Sequence, residues 1–487
     1  MLIFRKVKKE VHIAAANPEN FEILDFVRKK TGFEPRLFLA SPADIKNALK
    51  GYDKRTDGSL KNIIEVNAPE QGASEEQAEK ITEQFPTIEL VNNIFEKAIA
   101  ANASDIHIEP AQQLVNVRYR IDGILHKIAE LPKELLPSVD ARIKIMANMK
   151  IDEHMKPQDG RIHYNYHDQK IAIRVSIIPT LYGAKIALRL LEMNQKMFTL
   201  KKLGLNKKDF QLIKKEINLS QGMILVTGPT GSGKTTTLYT LLKMLNREGV
   251  NISTIEDPIE YGLENVNQMQ IKPSVGLTFA SGLRSMLRQD PNIIMIGEIR
   301  DTETAQIAVN AAMTGHLVLS TLHTNSAFLT PQRLIEIGVA PYLVNSVINL
   351  LIGQRLVRKL CPKCKIKIRM VDKTIKEYEK IFPLSESYKK ILAAGLLPKG
   401  KKINQSAIYR PGKCSYCNNT GFKGRVGIYE IIKVDRSLRK LILKDSSEIS
   451  IKNHVLKNNI LTMCEDGLLK MFQGQTTFEE IIRVTKE

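Results

Sequence analysis

The stretch that decides the fold is MILVTGPTGSGKTTT, residues 223–237. Residues 223–226 form an apolar run that fits a buried parallel strand, and residues 228–235 match GxxxxGK[ST] with a helix beginning at its end. The glycines of this turn permit the backbone angles that let successive N–H groups converge on phosphate oxygens, and the helix N-terminus favours negative charge. The sequence therefore predicts a phosphate-binding loop in an α/β domain.

The end of the loop supplies side chains that would complete a nucleoside triphosphate site. Lys234 would reach the β- and γ-phosphates, and the hydroxyl of Thr235 would ligate Mg²⁺. A glycine-rich turn can also join a strand to a helix without a ligand, but a complete motif after an apolar strand favours the nucleotide site. The residues predicted to bind the nucleotide are Gly228, Pro229, Thr230, Gly231, Ser232, Gly233, Lys234, Thr235 and Thr236.

Length and charge limit what the whole chain can be. A chain of 487 residues is too long for one core and predicts several domains. Its 72 Lys and Arg against 52 Asp and Glu give a net charge of +20, which indicates either an anionic partner such as nucleic acid or lipid, or a solvated basic surface. Apolar runs are shorter than the ~20 residues of a spanning helix, and the N-terminus lacks the apolar core of a secretory signal. We therefore expect a cytoplasmic location.

The region before the phosphate loop divides into three parts. Residues 1–55 read as a small α/β unit, with strands near 11–15 and 36–39 and helices near 18–31 and 42–50. Residues 56–84 are polar and aperiodic, which predicts a linker. Residues 85–198 predict a helix, six strands between 105 and 191, and a second helix near 137–149. Arginines recur along these strands, where they would pair with acids or reach a triphosphate as arginine fingers: Arg118, Arg120, Arg161, Arg174 and Arg189.

Three further segments place polar residues at strand ends around the predicted nucleotide. A short strand delivers Glu256 and Asp257 to the carboxyl edge of the sheet, where such folds bind ligands. A second apolar strand is followed by Glu298, a residue suited to polarising an attacking water. His316 and His323 flank a third strand, and an imidazole there could sense the γ-phosphate.

Four of the five cysteines form two CxxC pairs, Cys361 with Cys364 and Cys414 with Cys417. Four thiolates complete a tetrahedral Zn²⁺ shell without an open position, so this pattern predicts a structural zinc module over residues 359–430. A redox CxxC is the alternative. Residues 431–487 predict a closing run of helices.

These segments together resemble the secretion and pilus-assembly ATPase family, the motors of type IV pilus extension and type II secretion. The resemblance covers about residues 85–487. In chain order, the motifs that carry it are ASDIHIEP (103–110), RYRIDG (118–123), PQDGR (157–161), STIEDPIE (253–260), IMIGEIRD (294–301), TGHLVLSTLHTN (314–325) and GQRLVRKLC (353–361).

The resemblance implies a multidomain α/β fold. It pairs a PAS-like domain over residues 85–198 with a RecA-like P-loop ATPase domain over residues 199–358, followed by the zinc module and the helices. Residues 1–55 would be a truncated partner-docking domain. By position, Glu298 would be the catalytic glutamate. The resemblance further assigns Glu256 and Asp257 to an acidic box, His316 and His323 to a histidine box, and Arg174 and Arg189 to the γ-phosphate, with ATP, Mg²⁺ and Zn²⁺ as cofactors.

The function implied is ATP hydrolysis by a homo-hexamer that powers assembly of pilin or pseudopilin subunits, with pilus extension favoured. The implied partners are an inner-membrane platform protein and acidic phospholipid, and the implied location is cytoplasmic and peripheral at the inner membrane. A nucleic-acid-stimulated RecA-like motor is the alternative that the charge allows. It would need aromatic stacking residues, yet only 6% of the chain is aromatic and Trp is absent, so no nucleic acid is expected. A non-hydrolysing nucleotide switch is disfavoured by Glu298.

Overall fold

The computed structural model describes residues 2–7, 10–15, 24, 27–28, 32–41, 44–45, 87–167, 169–192, 199–398, 400 and 402–486. The predicted linker over residues 56–84 lies outside these ranges, as does most of the two helices predicted before it. The backbone contacts divide the chain into two compact units, residues 1–164 with 173–190 and residues 165–172 with 191–487. Within the described ranges, no helix combines the length and the apolar character that a membrane crossing requires.

The first unit begins with a small sheet of strands β1 (Leu2–Val7), β2 (Glu10–Ala15) and β3 (Glu34–Leu39). Strand β1 pairs antiparallel with β2, and β2 pairs parallel with β3. The strands predicted near residues 11–15 and 36–39 correspond to β2 and β3. Val11, Ile13 and Ala15 alternate to the buried side of β2, as expected for a strand with one covered face.

A second sheet of six strands, in the order β6-β5-β4-β9-β8-β7, forms the rest of this unit. One helix buries Leu90, Val91, Ile94, Phe95 and Ala98, which recur at helical spacing and form its apolar face. The six strands correspond to the six predicted from the sequence, but their bounds differ from the predicted ones by up to four residues at an end. The elements are α1 (Thr87–Ala100), β4 (Ala103–Pro110), β5 (Leu114–Ile121), β6 (Ile124–Pro132), α2 (Leu136–Met146), β7 (Gln158–Tyr166), β8 (Gln169–Thr180) and β9 (Gly183–Glu192).

A seven-stranded sheet organises the second unit, in the order β12-β11-β13-β14-β10-β15-β18. Its pairs are parallel except for β15 and β18, which run antiparallel. The strands of this unit are β10 (Gly222–Thr227), β11 (Ile252–Glu256), β12 (Asn267–Gln270), β13 (Ile293–Ile296), β14 (Leu317–Leu322), β15 (Ile348–Leu360), β16 (Ile366–Arg369), β17 (Ala407–Arg410) and β18 (Phe422–Lys433).

Helices cover both faces of this sheet. Every residue of β10 is buried, and Met223 and Leu225 pack into one apolar cluster while Ile224 and Val226 pack into another. Since alternate residues of a strand face opposite sides, the two clusters lie on the two faces. The helices are α3 (Leu200–Leu203), α4 (Lys207–Glu216), α5 (Lys234–Leu245), α6 (Phe279–Met286), α7 (Thr302–Met313), α8 (Thr330–Glu336), α9 (Pro341–Val347), α10 (Asp372–Glu379), α11 (Leu384–Ala393), α12 (Arg436–Lys444), α13 (Glu448–Lys457), α14 (Met463–Phe472) and α15 (Phe478–Thr485).

Candidate functional site

The phosphate-binding loop lies between β10 and α5, as the sequence predicted. Helix α5 begins at Lys234, directly after Gly233, which has a φ of 87°. Gly228 has a φ of 146°, and a Cβ there would lie 2.3 Å from the backbone oxygen of Gln354 on β15. The left-handed backbone and the close approach of β15 explain why these two positions are glycine.

Lys234 lies folded over this loop. Its Nζ donates to the backbone oxygens of Gly228 at 2.7 Å and Pro229 at 3.2 Å. The side chain is buried, and burial lowers its pKa while the negative charge of Glu298 raises it. A buried ammonium held by neutral carbonyls would gain energy from an anion, so the loop is electrostatically suited to phosphate.

Ser232 is a second group in the loop that an anion would suit. The Oγ of Ser232 is buried and has no hydrogen-bond partner among the described residues. Pro229, Thr230 and Gly231 form the exposed tip of the loop. An unsatisfied buried hydroxyl is costly in a folded protein, which makes Ser232 a second observation that fits an anion in this cradle.

Glu298 follows β13 at the same edge of the sheet. It is only 8% exposed, yet its carboxylate contacts two cationic or basic side chains that reach into solvent. Nη2 of Arg300 lies 2.6 Å from one oxygen, and Nε2 of His323 lies 3.0 Å from the other. The hydrogen bond to Glu298 raises the pKa of Arg300.

Glu256, at the end of β11, has different surroundings. It is 3% exposed and accepts hydrogen bonds from Thr254 Oγ1 at 2.6 Å, Gln268 Nε2 at 3.1 Å and the hydroxyl of Tyr239. Burial and the neighbouring Glu256 charge raise the pKa of Tyr239, so its hydroxyl remains a donor at neutral pH. Asp257, the next residue, is exposed.

The two predicted histidines lie at opposite ends of β14. His323 follows the strand and contacts Glu298, whereas His316 precedes it and places Nδ1 3.0 Å from the backbone oxygen of Ala311 in α7. The backbone oxygen of His316 accepts from the N–H of Gly222, which begins β10, while the phosphate loop follows the other end of that strand. The structure therefore brings His323 to the phosphate-loop edge and does not bring His316 there.

Arg174 and Arg189 belong to the other unit, on β8 and β9. With Arg161, Asp159 and His107 they line a cavity of about 470 Å³. Nε of Arg189 donates to Asp105 Oδ1 at 3.0 Å. Their approach to a γ-phosphate stays a prediction.

The four cysteines of the CxxC pairs come together because β15 and β18 are neighbours, with Leu360 opposite Phe422. The Sγ atoms all lie within 4.8 Å of one another, including separations of 3.8, 3.7 and 3.6 Å. Tetrahedral Zn²⁺ with Zn–S bonds of about 2.3 Å requires sulfurs about 3.8 Å apart, whereas a disulfide requires about 2.05 Å. The long gap between the pairs is thus an insertion between two adjacent strands, and the donor set fits Zn²⁺.

Several residues of the site were missed by the sequence analysis. Tyr239 and Gln268 support Glu256 from distant segments, and nothing in their spacing indicates this. Arg300 and Gln354 belong to the family motifs IMIGEIRD and GQRLVRKLC, and Arg300 could have been found from its position two residues after Glu298. Gln354 contacts the loop's helix through Oε1, which accepts from Thr237 Oγ1 at 2.7 Å.

Known proteins resemble this chain over most of its length. A family model described as "Type II/IV secretion system protein" matches residues 80–483, and an MshEN domain model matches residues 1–59. The type IV pilus assembly ATPase PilB of Myxococcus xanthus is 40% identical over 96% of this chain and 81% of its own length. Type II secretion system protein E of Aeromonas hydrophila is 42% identical over 82% of this chain and 76% of its own.

A solved structure also matches. The crystal structure of the pilus retraction motor PilT with bound ADP aligns with a TM-score of 0.53 and 26% identity, covering 81% of this chain and 96% of that one. The predicted mixed α/β, RecA-like architecture is thereby confirmed. The chain belongs to the type II/IV secretion system protein family and is an ATPase of the secretion and pilus-assembly type.

Proposed function

We propose that this ATPase is a hexameric motor that powers assembly of type IV pilin or type II secretion pseudopilin subunits at the inner membrane. The observation that carries the proposal is the placement of Glu298 and His323 at the edge of the sheet where the phosphate loop begins. Identities of 40% and 42% to a pilus and a secretion ATPase do not separate the two machines. We favour pilus extension because residues 251–260 and 264–268 resemble extension motors.

In the proposed reaction, the loop N–H groups, Lys234 and Ser232 hold the phosphates of ATP. Thr235 would ligate Mg²⁺, which supplies charge neutralisation between the phosphates when bound. Glu298 accepts a proton from, or orients, the attacking water, and His323 holds the carboxylate in place. Arg174 and Arg189 stabilise the transition-state charge. Asp257 is an exposed acid that directly follows Glu256. Glu256 supports the end of β11 by accepting hydrogen bonds from its three donors.

The four cysteines are proposed to hold structural Zn²⁺. The ion would close the insertion between β15 and β18 and would not take part in hydrolysis. Metal analysis of the purified chain should give one zinc per chain, and Cys414→Ser should lose it while keeping ATP turnover. Loss of turnover in proportion to zinc would contradict a purely structural role.

The proposed partners are a membrane platform protein and acidic phospholipid, with the ring on the cytoplasmic face of the inner membrane. The net charge of +20 supports attraction to anionic headgroups. The same charge favours a second candidate, a motor stimulated by nucleic acid.

The test is Mg²⁺-dependent ATP hydrolysis by the purified full chain, with ring size followed by light scattering. Turnover should rise with a hexameric species and with vesicles containing an anionic phospholipid, relative to neutral vesicles. Lys234→Ala should abolish turnover, while Lys243→Ala, an exposed lysine on the same helix, should not. Absence of turnover in every assembly state, with recovery on adding single-stranded DNA, would replace the pilus motor with the nucleic-acid motor.

A further inference from the structure

A buried carboxylate on β18 lies level with the start of the phosphate loop. Glu430 is opposite Gly353 of β15, and Gly353 is opposite Thr227, the last residue of β10. Thr227 is in turn opposite Leu322, the residue before His323. One row of paired residues therefore connects Glu430 to the phosphate loop, which follows Thr227, and to His323, which follows Leu322.

The fold makes room for this side chain. Glu430 is 3% exposed, and a Cβ on Gly353 would lie 2.5 Å from its Cγ and 2.6 Å from its Oε1. Gly353 thus leaves the space that Glu430 fills. Burying a carboxylate destabilises a protein unless its oxygens are satisfied, so the partners of Glu430 matter.

Those partners are two backbone N–H groups from separate segments. The carboxylate accepts from Ala327, four residues after His323, and from Met463, the first residue of α14. We call residues 323–327 the sensor loop. Another anchor of this loop is the Oγ1 of Thr227, which donates to the backbone oxygen of Thr324 at 2.8 Å. The sensor loop is therefore fixed at one point by the phosphate-loop strand and at another by Glu430.

Charged groups near Glu430 come from two further elements. Burial raises its pKa to about 7, the N–H groups and Arg355 of β15 oppose this, and Glu448 of α13 adds to it. Glu448 also reaches the sensor loop, where it accepts from Ser326 Oγ at 3.0 Å. A core glutamate that only fills space would not need the contact with Ala327.

We propose that Glu430 is a positioning residue for hydrolysis: by holding Ala327 it fixes the sensor loop so that His323 stays in contact with Glu298. The inference rests on the proposed roles of Glu298 and His323, and it joins the carboxyl-terminal helix α14 to the nucleotide edge through one side chain.

The test is Glu430→Gln in the full chain. Glutamine keeps the shape but places an NH₂ group against one of the two N–H donors, so one contact is lost. We expect kcat to fall about 10-fold, with the KM for ATP within about 2-fold of wild type, because Lys234 and the loop are untouched. Glu386→Gln is the matched control, since Glu386 is an exposed carboxylate that lines a cavity together with Glu430.

A double-mutant cycle with His323→Ala separates the possible outcomes. If Glu430 acts through His323, Glu430→Gln should have no further effect on kcat in the His323→Ala background. If the fold-losses in kcat caused by the two substitutions multiply in the double variant, the inference is overturned while the proposed function stands. An unchanged kcat in Glu430→Gln alone would overturn it in the same way. If His323→Ala leaves kcat unchanged, the proposed role of His323 fails and the inference fails with it. If Glu430→Gln changes both the KM for ATP and the melting temperature, Glu430 has a structural role only.

Discussion

Glu256 and Glu298 end neighbouring parallel strands, and both are almost fully buried, yet they are held in opposite ways. The donors to Glu256 are neutral, and two of them, Tyr239 and Thr254, are themselves buried. Glu298 is held by His323 and Arg300, whose side chains are 48% and 66% exposed.

The difference teaches that burial at the sheet edge does not by itself identify a reactive carboxylate. Tyr239 and Thr254 are buried and cannot turn to solvent. The oxygens of Glu256 therefore stay hydrogen-bonded whether or not a nucleotide is present. The side chains of His323 and Arg300 reach solvent, so they can turn from the carboxylate to water or substrate. We therefore propose that Glu298 takes part in the chemistry and that Glu256 supports the end of its strand.

Among the partners of the two glutamates, the largest effect is expected from removing a partner of Glu298. His323→Ala should lower kcat about 10-fold or more, because the carboxylate loses the contact that orients it. His316→Ala is the matched control, since this histidine lies at the far end of the same strand, and its kcat should stay within about 2-fold of wild type. Steady-state ATP hydrolysis measures both. Equal losses in the two variants would show that the ends of β14 are not functionally different.

A smaller effect should follow from removing a partner of Glu256. Tyr239→Phe deletes one hydroxyl and leaves a buried carboxylate oxygen without that donor, which should lower the free energy of unfolding by about 2 kcal/mol. ATP turnover below the transition should change by less than about 3-fold. Denaturant unfolding and hydrolysis assays on the same preparation test this. An unchanged stability with a large loss of kcat would reverse the roles of the two glutamates.

The smallest effect concerns Glu480 on α15, another buried carboxylate. It is held by two arginines that are far from the phosphate loop in sequence. Burial opposes ionisation, but hydrogen bonds from Arg483 and Arg358 outweigh it and lower the pKa of Glu480 to about 2. A depressed pKa contributes stability that is present above the ordinary value near 4.5 and is lost as pH falls from there towards 2.

Glu480→Gln should therefore remove on the order of 1 kcal/mol of stability at pH 7, allowing for the half-exposed Arg483, and should flatten the acid limb of the stability curve. Glu479→Gln, its exposed neighbour, should not. Urea unfolding at pH 7, 4 and 3 gives the comparison. A large change in kcat would mean that arginine-held carboxylates outside the sheet edge also serve hydrolysis.

Local pattern was enough for much of this fold. The apolar run and glycine turn of residues 223–235 placed β10, the loop and α5, and alternation placed all six strands of the second sheet. These features depend on periods of two and 3.6 residues that the sequence shows directly. The spacing of the paired cysteines also predicted a zinc site, although only the adjacency of β15 and β18 explains the long separation between the two pairs.

Other features depend on distances in space that the spacing of residues along the sequence does not show. His316 and His323 are seven residues apart in sequence. The extended strand β14 lies between them and rises about 3.3 Å per residue, so the two histidines lie at opposite ends of that strand. Tyr239 and Gln268 donate to Glu256, and Ala327 and Met463 donate to Glu430, from segments that only the tertiary fold brings together. No local pattern reports those contacts, so motif position could propose Glu298 as the catalytic residue but could not show which partners hold each glutamate.

Single-turnover hydrolysis of ATP by Glu298→Gln and Glu256→Gln, measured side by side with ATP binding and thermal unfolding, tests the central claim most directly. We predict that Glu298→Gln binds ATP normally and hydrolyses it about 100-fold or more slowly. Glu256→Gln should keep hydrolysis within about 3-fold and unfold at a lower temperature. Full turnover in Glu298→Gln, or an equal loss in Glu256→Gln at unchanged stability, would contradict the account.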